Sequence, residues 1–417
     1  MFIEFLYQFL NQNEIIKLKM LDSRIFATGS ALVLSFMLGI ILFPPFIKYL
    51  RKKDFNSELE KGKMPPVQPA GFLFAVIILA VSLITARFNT IVISAISIYI
   101  LYAFIGFVDD MVKIRSKKEI VSGKIEKKSY LYKSDGISAQ LRLGLYLTFA
   151  FLVSIIAYNF IPDINKNITI PLISKIGDNN TFGIDLPFWI FVPITTLVIA
   201  VVANGVNFTD GLDTLASVPL ITNLIFAAIV AYVASRPDWS EYLRIPFSVN
   251  SSQAGEIVPV IGAAIGVLVA YLWFNSPPSS IIMGDSGSIG LGGFLGALFV
   301  LLKIEFFIPI IAFVFIAEFA SSFFQMTYFK ITKGKRFFKC APIHHHFQFL
   351  MRENNVFDKK DDIKSELKTC EELSGETLEK IAKKLQKKEI DSKITWAFHI
   401  VSIILLVLTT ILYMKVR

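Results

Sequence analysis

The sequence predicts an all-α, polytopic membrane protein that crosses the bilayer about ten times. Hydrophobic residues make up 54% of its 417 residues, the mean hydropathy is +0.60, and phenylalanine alone occurs 39 times. A soluble domain of this length does not need so many apolar side chains for its core. The composition therefore indicates an integral membrane protein, and we expect no nucleic-acid partner.

Ten apolar runs carry this prediction, because a helix needs roughly 17–25 mostly apolar residues to span hydrocarbon. The first run is longer than the apolar part of a signal peptide and lacks an Ala-x-Ala exit, so we interpret it as a membrane helix. The eighth run is short and is bounded by Lys303 and Glu305. The runs cover residues 25–46, 71–87, 91–108, 141–161, 186–203, 215–234, 257–274, 289–302, 306–329 and 394–414.

Lysine and arginine in the connections predict the orientation. When the long segment from Arg352 to Lys393 is left aside, one side carries 20 of these residues and the other carries 11. Since basic residues concentrate on the cytoplasmic side, both termini are predicted to lie outside. The polar motifs at 109–110, 203–216, 283–288 and 344–346 then all lie on the cytoplasmic face, as a shared active site requires. Cys340 and Cys370 also lie there, where reducing conditions argue against a disulfide.

The stretch from Ala203 to Ala216 places two amides, Asn204 and Asn207, and two acids, Asp210 and Asp213, between long apolar runs. A bilayer would leave such groups without partners, so they are expected to face an aqueous site. A plain loop that joins two helices is the alternative.

Two further acidic motifs predict phosphate chemistry. Asp109 and Asp110 end the third run and are followed one helical turn later by Lys113, while Asp285 lies between glycines in a tight turn. Carboxylates are ligands of Mg²⁺, which normally accompanies phosphate oxygens, and glycine lets the backbone approach an anion closely. The alternatives are a solvated helix end with an Asp–Lys pair, and an ordinary turn between helices.

His344, His345 and His346 are three of the four histidines in the chain. Consecutive side chains diverge on a helix, so the three cannot share one metal, and contact with a pyrophosphate or a substrate carboxylate is the better interpretation. An exposed histidine loop is the alternative. Glu318 lies deep in the ninth run, where it either serves a function or hydrogen-bonds within the bundle, for instance with Gln325 or Ser321.

Taken together, the motifs resemble the polyprenyl-phosphate sugar-1-phosphate transferases, and within them the phospho-N-acetylmuramoyl-pentapeptide transferases of peptidoglycan synthesis. The histidine motif discriminates most, because it resembles the muramoyl branch and not the N-acetylhexosamine branches. The matching elements are Asp-Asp-x-x-Lys at 109–113, Asn-x-Thr-Asp-Gly-Leu-Asp at 207–213, Asn275 with Met-Gly-Asp-x-Gly-Ser at 283–288, Glu318 with Gln325 and Phe329-Lys330, and Ala-Pro-Ile-His-His-His-Phe at 341–347.

The resemblance implies transfer of phospho-MurNAc-pentapeptide from UDP-MurNAc-pentapeptide to undecaprenyl phosphate, which gives lipid I and UMP at the inner (cytoplasmic) membrane of a bacterium. It also implies a homodimer, and Mg²⁺ with Asp285 as its ligand. Asp109 or Asp110 would deprotonate or position the lipid phosphate, and Asp285 and His344 complete the catalytic set. Substrate contacts are implied for Lys63, Lys113, Asn204, Asn207, Asp210, Asp213, Asn275, Met283, Gly284, Ser288, His345 and His346.

Departures from the family pattern, of which the long segment 351–393 is described below, keep the choice of donor open. The segment Pro66–Gly71 differs from the family motif and leaves the role of Lys63 in doubt, Thr214 stands where the muramoyl branch usually has glycine, and Ser286 resembles the sister branches. Transfer of N-acetylhexosamine-1-phosphate from UDP-GlcNAc or a related donor is therefore the nearest alternative. A lipid or solute transporter is the remote one, since it would need a polar path at mid-membrane and paired broken helices.

The predicted organisation is a transferase core over 1–350, an insertion over 351–393, and the last transmembrane helix of the core over 394–417. The insertion is rich in Lys and Glu and carries Leu378, Ile381 and Leu385 at helical spacing. This pattern predicts a small cytoplasmic helical appendage, with a flexible linker as the alternative.

Overall fold

The computed structural model describes residues 23–55, 65–121, 136–160, 167–174, 181–243, 251–353 and 375–414. Nearly all of these residues are helical. Backbone N–H and C=O groups find no water in hydrocarbon, and an α-helix pairs them within a single segment.

The helices follow one another with short connections, and one strand pair interrupts them. The strands β1 (Asn167–Ser174) and β2 (Thr181–Asp185) pair antiparallel, and the sequence did not predict them. The helices are α1 (Arg24–Lys52), α2 (Gly71–Thr85), α3 (Thr90–Val121), α4 (Ala139–Phe160), α5 (Phe188–Thr209), α6 (Ser217–Ala234), α7 (Pro237–Leu243), α8 (Ser251–Ala254), α9 (Val258–Asn275), α10 (Gly284–Leu301), α11 (Ile308–Ile311), α12 (Phe313–Ile331), α13 (Ile343–Glu353) and α14 (Gly375–Met414), with 3₁₀ turns at Gly255–Ile257 and Glu305–Phe307.

Helix α10 lies at the centre of the bundle. Its apolar stretch is 94% buried, and it packs mainly against α3 and α5, with α2 and α6 completing its surroundings. Its glycines let neighbouring backbones approach closely, a common means of helix association in membranes. By contrast, the apolar stretches of α1 and α14 are only 22% buried; the two helices pack on α9 and α6 and leave many apolar side chains exposed.

Each of the ten predicted runs coincides with helix, which confirms a helical membrane protein. Within the described residues, eight helices are long and apolar enough to cross a bilayer, and α2 is a shorter apolar helix. A ninth span results if Glu305–Ile311 and Phe313–Ile331 are counted together. These two segments meet at 81°, so the chain bends within the ninth run, which the sequence analysis did not address because hydropathy does not report backbone direction. The count of ten and the orientation stay predictions.

Several helices extend beyond the apolar runs that predicted them. Helix α3 continues to Val121, so Asp109 and Lys113 lie inside it and not at its end, and α10 already begins at Gly284. Hydropathy marks the thickness of hydrocarbon, whereas helical hydrogen bonding continues into water wherever propensity allows it. Helix α14 likewise runs unbroken from Gly375 through residue 393, where the sequence placed the end of the insertion. Residues 354–374 of that insertion lie outside the described residues.

Candidate active site

Asp110 joins α3 to the first turn of α10. Its Oδ1 accepts a hydrogen bond from the backbone N–H of Asp285 and its Oδ2 accepts one from that of Ser286, both at 3.0 Å. The first N–H groups of a helix have no partner within the helix, and the helix dipole favours a carboxylate there. Asp110 is 2% exposed, so its carboxylate is fully engaged in holding the start of α10.

Two glycines make this junction possible. A Cβ on Gly106 would lie 2.6 Å from the backbone nitrogen of Ser286 and closer still to the carbonyl oxygen of Asp285. Gly284 has φ +73°, a left-handed conformation that glycine adopts without strain. The backbone around Asp285 is therefore set by direct contact between α3 and α10.

An ionic cluster lies immediately beside this junction. Lys113 Nζ is 2.7 Å from Asp285 Oδ2 and 2.8 Å from Asp109 Oδ2. One guanidinium nitrogen of Arg142 is 2.9 Å from Asp109 Oδ2 and 3.4 Å from Asp285 Oδ2. The N–H of Ile137 donates to Asp109 Oδ1 at 2.6 Å. Both cations thus bridge the same two carboxylates, of which Asp109 is 0% and Asp285 17% exposed.

Asn207 brings α5 into the same cluster. Its Nδ2 donates to Asp285 Oδ1 and to the Ser288 hydroxyl oxygen, both at 3.0 Å, and the Ser288 hydroxyl donates to the Gly284 carbonyl. Asn204 does not join the cluster, because its Nδ2 donates back to the carbonyl of Ala200 within α5. Asp285 therefore receives contacts from α3, α4 and α5.

The turn between α5 and α6 is held by Asn275. The Thr214 N–H donates to Asn275 Oδ1 at 2.7 Å, and Asn275 Nδ2 donates to the carbonyl of Ile281 at 2.9 Å. Thr214 has φ +63°, which is unfavourable for a β-branched residue, and its carbonyl lies 3.0 Å from His399 Nε2. Asn275 thus connects this turn to the segment that leads into α10.

The two acids of this turn both have a raised pKa, and the charge of the ionic cluster contributes only to that of Asp210. Burial raises the pKa of Asp210 well above its usual range, and the negative charges of Asp285, Asp110 and Asp213 raise it further. Burial also raises the pKa of Asp213, against a smaller lowering by the hydrogen bond from Ser279. Asp210 therefore lies at the same end of the bundle as Asp109, Asp110 and Asp285, whereas the convergence of Asp213 with them stays a prediction.

The segment that departs from the family motif has a structural part in the site. Val67 pairs with Ile281 in a parallel bridge, and the N–H groups of Ala70 and Gly71 donate to the carbonyls of Ile282 and Met283, both at 3.0 Å. Met283 is fully buried and contributes this backbone contact. Lys63 lies outside the described residues, so its predicted role is untested.

His344 forms a buried pair with Glu318. The two atoms His344 Nδ1 and Glu318 Oε2 are 3.0 Å apart, and the side chains are 1% and 0% exposed. The sequence suggested Gln325 or Ser321 as partners of Glu318, but Gln325 instead accepts from backbone N–H groups of residues 337 and 338. His344 Nε2 has no partner among the described residues and lies beside Gly211, in the turn that carries Asp210 and Asp213.

The other two histidines make their hydrogen bonds outside the ionic cluster. His345 Nδ1 lies 2.7 Å from Gln348 Oε1, whose amide in turn donates to Asp391 of α14 at 2.5 Å. His346 Nδ1 accepts from the N–H of Lys339 at 3.3 Å. His345 and His346 therefore secure α13 against its neighbours, and neither touches the ionic cluster in the described structure.

The sequence analysis missed two residues of this region. Arg142 had been assigned to the general basic bias of its loop, yet it bridges Asp109 and Asp285. His399 had no assigned role, yet it contacts the Thr214 carbonyl. Arg142 could have been singled out as the basic residue at the start of an apolar run, whereas no local signal distinguishes His399.

The side chains of this site suit Mg²⁺ better than a metal ion whose ligands all come from the protein. Among the described residues, no three His, Cys, Asp or Glu side chains are placed to hold one ion. Asp285 is the partly exposed carboxylate of the cluster, and beside it lies Asp110, a buried carboxylate that pairs with backbone N–H groups and with no cation among the described contacts. Mg²⁺ commonly binds through one or two carboxylates and completes its shell with water and substrate phosphates. The residues present therefore fit the ion.

Fold and site together define a polytopic membrane enzyme of the phosphotransferase class, with its polar site at one end of a helix bundle. Residues 90–303 match the family model described as glycosyl transferase family 4. The chain is 33% identical to the phospho-N-acetylmuramoyl-pentapeptide-transferase of Sulfurimonas denitrificans over 81% of its own length and 90% of the relative, and 35% identical to the one of Campylobacter jejuni strain RM1221 over 77% and 86%. The chain therefore belongs to glycosyl transferase family 4, among the phospho-N-acetylmuramoyl-pentapeptide-transferases.

Proposed function

We propose that the protein transfers phospho-MurNAc-pentapeptide from UDP-MurNAc-pentapeptide to undecaprenyl phosphate, giving lipid I and UMP in peptidoglycan biosynthesis. The observation that carries the proposal is the ionic cluster of Asp109, Lys113, Arg142 and Asp285 at one end of an apolar bundle. A lipid acceptor needs a site that borders the membrane, and two anionic substrates need cations. Relatives that bear the name of this activity cover most of the chain.

Lys113 and Arg142 are the proposed phosphate ligands. In the structure they neutralise two carboxylates, and their side chains are 25% and 24% exposed. A phosphate oxygen that enters between them exchanges one anion for another, so neither cation loses its charge partner. Arginine adds two parallel N–H donors that match a phosphate, and lysine adds a point charge.

The proposed reaction is a direct displacement. An oxygen of the lipid phosphate attacks the phosphorus attached to the sugar, the bond from that phosphorus to the UMP oxygen breaks, and UMP leaves with the electron pair. A covalent aspartyl-phosphate would need a free carboxylate nucleophile. Every oxygen of Asp109 and Asp110 already accepts hydrogen bonds, which supports the direct route.

Each acid has a distinct proposed part. Asp285 would hold Mg²⁺, which would supply positive charge to the phosphate oxygens. Asp109 orients Lys113 and Arg142 toward the lipid phosphate, while Asp110 positions Asp285 through the first turn of α10. Asp210, Asp213 and Asn207 line the side of the nucleotide sugar. His344 Nε2 faces the turn that carries Asp210 and Asp213, and it donates a hydrogen bond to the nucleotide sugar.

We further propose that this end of the bundle faces the cytoplasm of a bacterium, where nucleotide sugars are made. The excess of lysine and arginine in the connections at this end supports the orientation. We also propose that the protein forms a homodimer, on the ground of the family resemblance alone.

The decisive experiment compares two donors. Purified protein with undecaprenyl phosphate is incubated in parallel with UDP-MurNAc-pentapeptide or UDP-GlcNAc, and UMP release is measured. UMP release with the muramoyl donor and none with UDP-GlcNAc is expected. The reverse result would replace the proposal by N-acetylhexosamine-1-phosphate transfer, which Ser286 and the altered Pro66–Gly71 segment favour.

A second experiment tests the metal ligand. Asp285→Ala should abolish UMP release while the protein remains folded and inserted, because the substitution removes the partly exposed carboxylate of the cluster. Near-normal UMP release from this variant would remove Asp285 from the mechanism. Titration of Mg²⁺ after treatment with EDTA tests the ion itself.

A further inference from the structure

Tyr146 carries a polar group that no described contact explains. Its side chain is 1% exposed, and its hydroxyl has no hydrogen-bond partner among the described residues. Buried hydroxyls are normally paired, because an unpaired one loses its bonds to water without compensation. An unpaired buried hydroxyl beside a reaction site therefore indicates a partner that arrives with the substrate.

The helix direction aims this hydroxyl at the ionic cluster. Helix α4 begins at the cluster with Arg142, and Tyr146 lies four residues later, on the same face. Helical side chains lean toward the N-terminus of their helix, so the phenol of Tyr146 leans back toward Arg142.

The ring is held in place while its hydroxyl stays available. Tyr146 stacks on Tyr102 of α3 with ring centroids 5.1 Å apart and 27° between the planes. The Tyr102 hydroxyl donates to the Tyr146 carbonyl at 2.7 Å, so that second hydroxyl is already used. Tyr102 lies on α3, and the N-terminus of α3 is at the end of the bundle away from the cluster. The side chain of Tyr102 is therefore expected to lean away from the cluster.

We propose that the Tyr146 hydroxyl donates a hydrogen bond to the phosphate of the lipid acceptor when that phosphate lies between Lys113 and Arg142. The inference rests on the proposed function, which it deepens by naming a further acceptor ligand. Every oxygen of Asp109 and Asp285 already accepts a hydrogen bond or an ion pair, so an added anion is the acceptor that this hydroxyl lacks. Tyr146 lies one helical turn further into the apolar part of α4 than Arg142, the direction expected for a lipid-bound phosphate and not for a soluble nucleotide.

Binding measurements without turnover test this proposal. Dissociation constants for undecaprenyl phosphate, undecaprenol and UMP are measured in detergent for the wild type, Tyr146→Phe and Tyr99→Phe. Tyr99 is the matched control, because it is also 1% exposed, its hydroxyl also has no described partner, and it lies ten residues before Asp109 on α3, leaning away from the cluster.

Tyr146→Phe should weaken binding of undecaprenyl phosphate about tenfold or more, the effect expected for one hydrogen bond to a charged group. The dissociation constants for undecaprenol and UMP should stay within about twofold of wild type. Tyr99→Phe should leave the dissociation constants of all three ligands unchanged. Both variants should keep the wild-type Tm.

Other outcomes overturn the inference. Unchanged binding of undecaprenyl phosphate, an equal loss for undecaprenol, a loss confined to UMP, or an equal loss in Tyr99→Phe would each remove the contact. A Tyr146→Phe protein that loses Tm while Tyr99→Phe does not would mark Tyr146 as structural. Failure of the proposed function is a separate result, seen as wild-type protein that releases no UMP or binds undecaprenol as tightly as undecaprenyl phosphate.

Discussion

Gly106→Ala is the substitution that most directly tests how the site is built. Gly106 faces the first turn of α10, where a Cβ would lie 2.6 Å from the Ser286 nitrogen and closer to the Asp285 carbonyl oxygen. Both obstacles are backbone atoms, which cannot rotate away as a side chain can. We therefore expect α3 and α10 to separate, and Asp110 and Asp285 to move apart with them.

The size of the effect follows from this geometry. Carbon–oxygen contacts below 3.0 Å are essentially never seen for a Cβ, so relief requires a shift on the order of 1 Å, and a misplacement of that size can cost about 100-fold in rate. Overpacking lowers the free energy of unfolding by about 1–3 kcal/mol, and replacing glycine by alanine within a helix raises it by about 0.5–1 kcal/mol. The net loss of stability is small enough to leave the protein folded.

Gly144→Ala provides the matched control. Gly144 is exposed within α4, and a Cβ there meets no described atom within 4 Å. This variant should keep wild-type activity and gain slightly in Tm through helix propensity. UMP release and Tm in detergent are measured for both proteins. If Gly106→Ala keeps activity within about threefold of wild type, the requirement for a preorganised junction between α3 and α10 is refuted.

Three further substitutions test other contacts. Asp210→Asn removes a carboxyl group whose raised pKa makes the folded state less stable as pH rises. The Tm of the variant, measured with EDTA, should therefore exceed that of the wild type by an amount that grows from acidic to alkaline pH. A gain in Tm that does not depend on pH would contradict this. Glu318→Gln keeps a hydrogen-bond partner for His344 Nδ1 and should retain Tm, whereas Glu318→Ala should lose about 1–3 kcal/mol, and equal effects would contradict the pair. Thr214→Gly should relieve about 1 kcal/mol of strain at φ +63° with unchanged donor preference, and Thr214→Ala, which keeps the Cβ, should gain less in Tm.

Local pattern carried much of the candidate site. Asp109, Lys113, Asn207, Asp285 and Ser288 were singled out from motifs in three separate connections, and all of them lie in one cluster. The motifs identified these residues because charged and amide groups beside apolar runs need polar partners, and one shared site supplies those partners. The same reasoning did not separate Asp110 from Asp109, because adjacent carboxylates look equivalent until the neighbouring helix is present.

What the sequence by itself determined is the membrane class, the position of the helices along the chain and the residue types of the site. These depend on hydropathy and short-range spacing, which act within one segment. Tertiary structure alone decided that Asp110 caps α10, that Arg142 and not only Lys113 bridges the carboxylates, that Glu318 pairs with His344, and that the ninth run bends by 81°. Each of these depends on the distance and direction between segments far apart in the chain, and packing sets both.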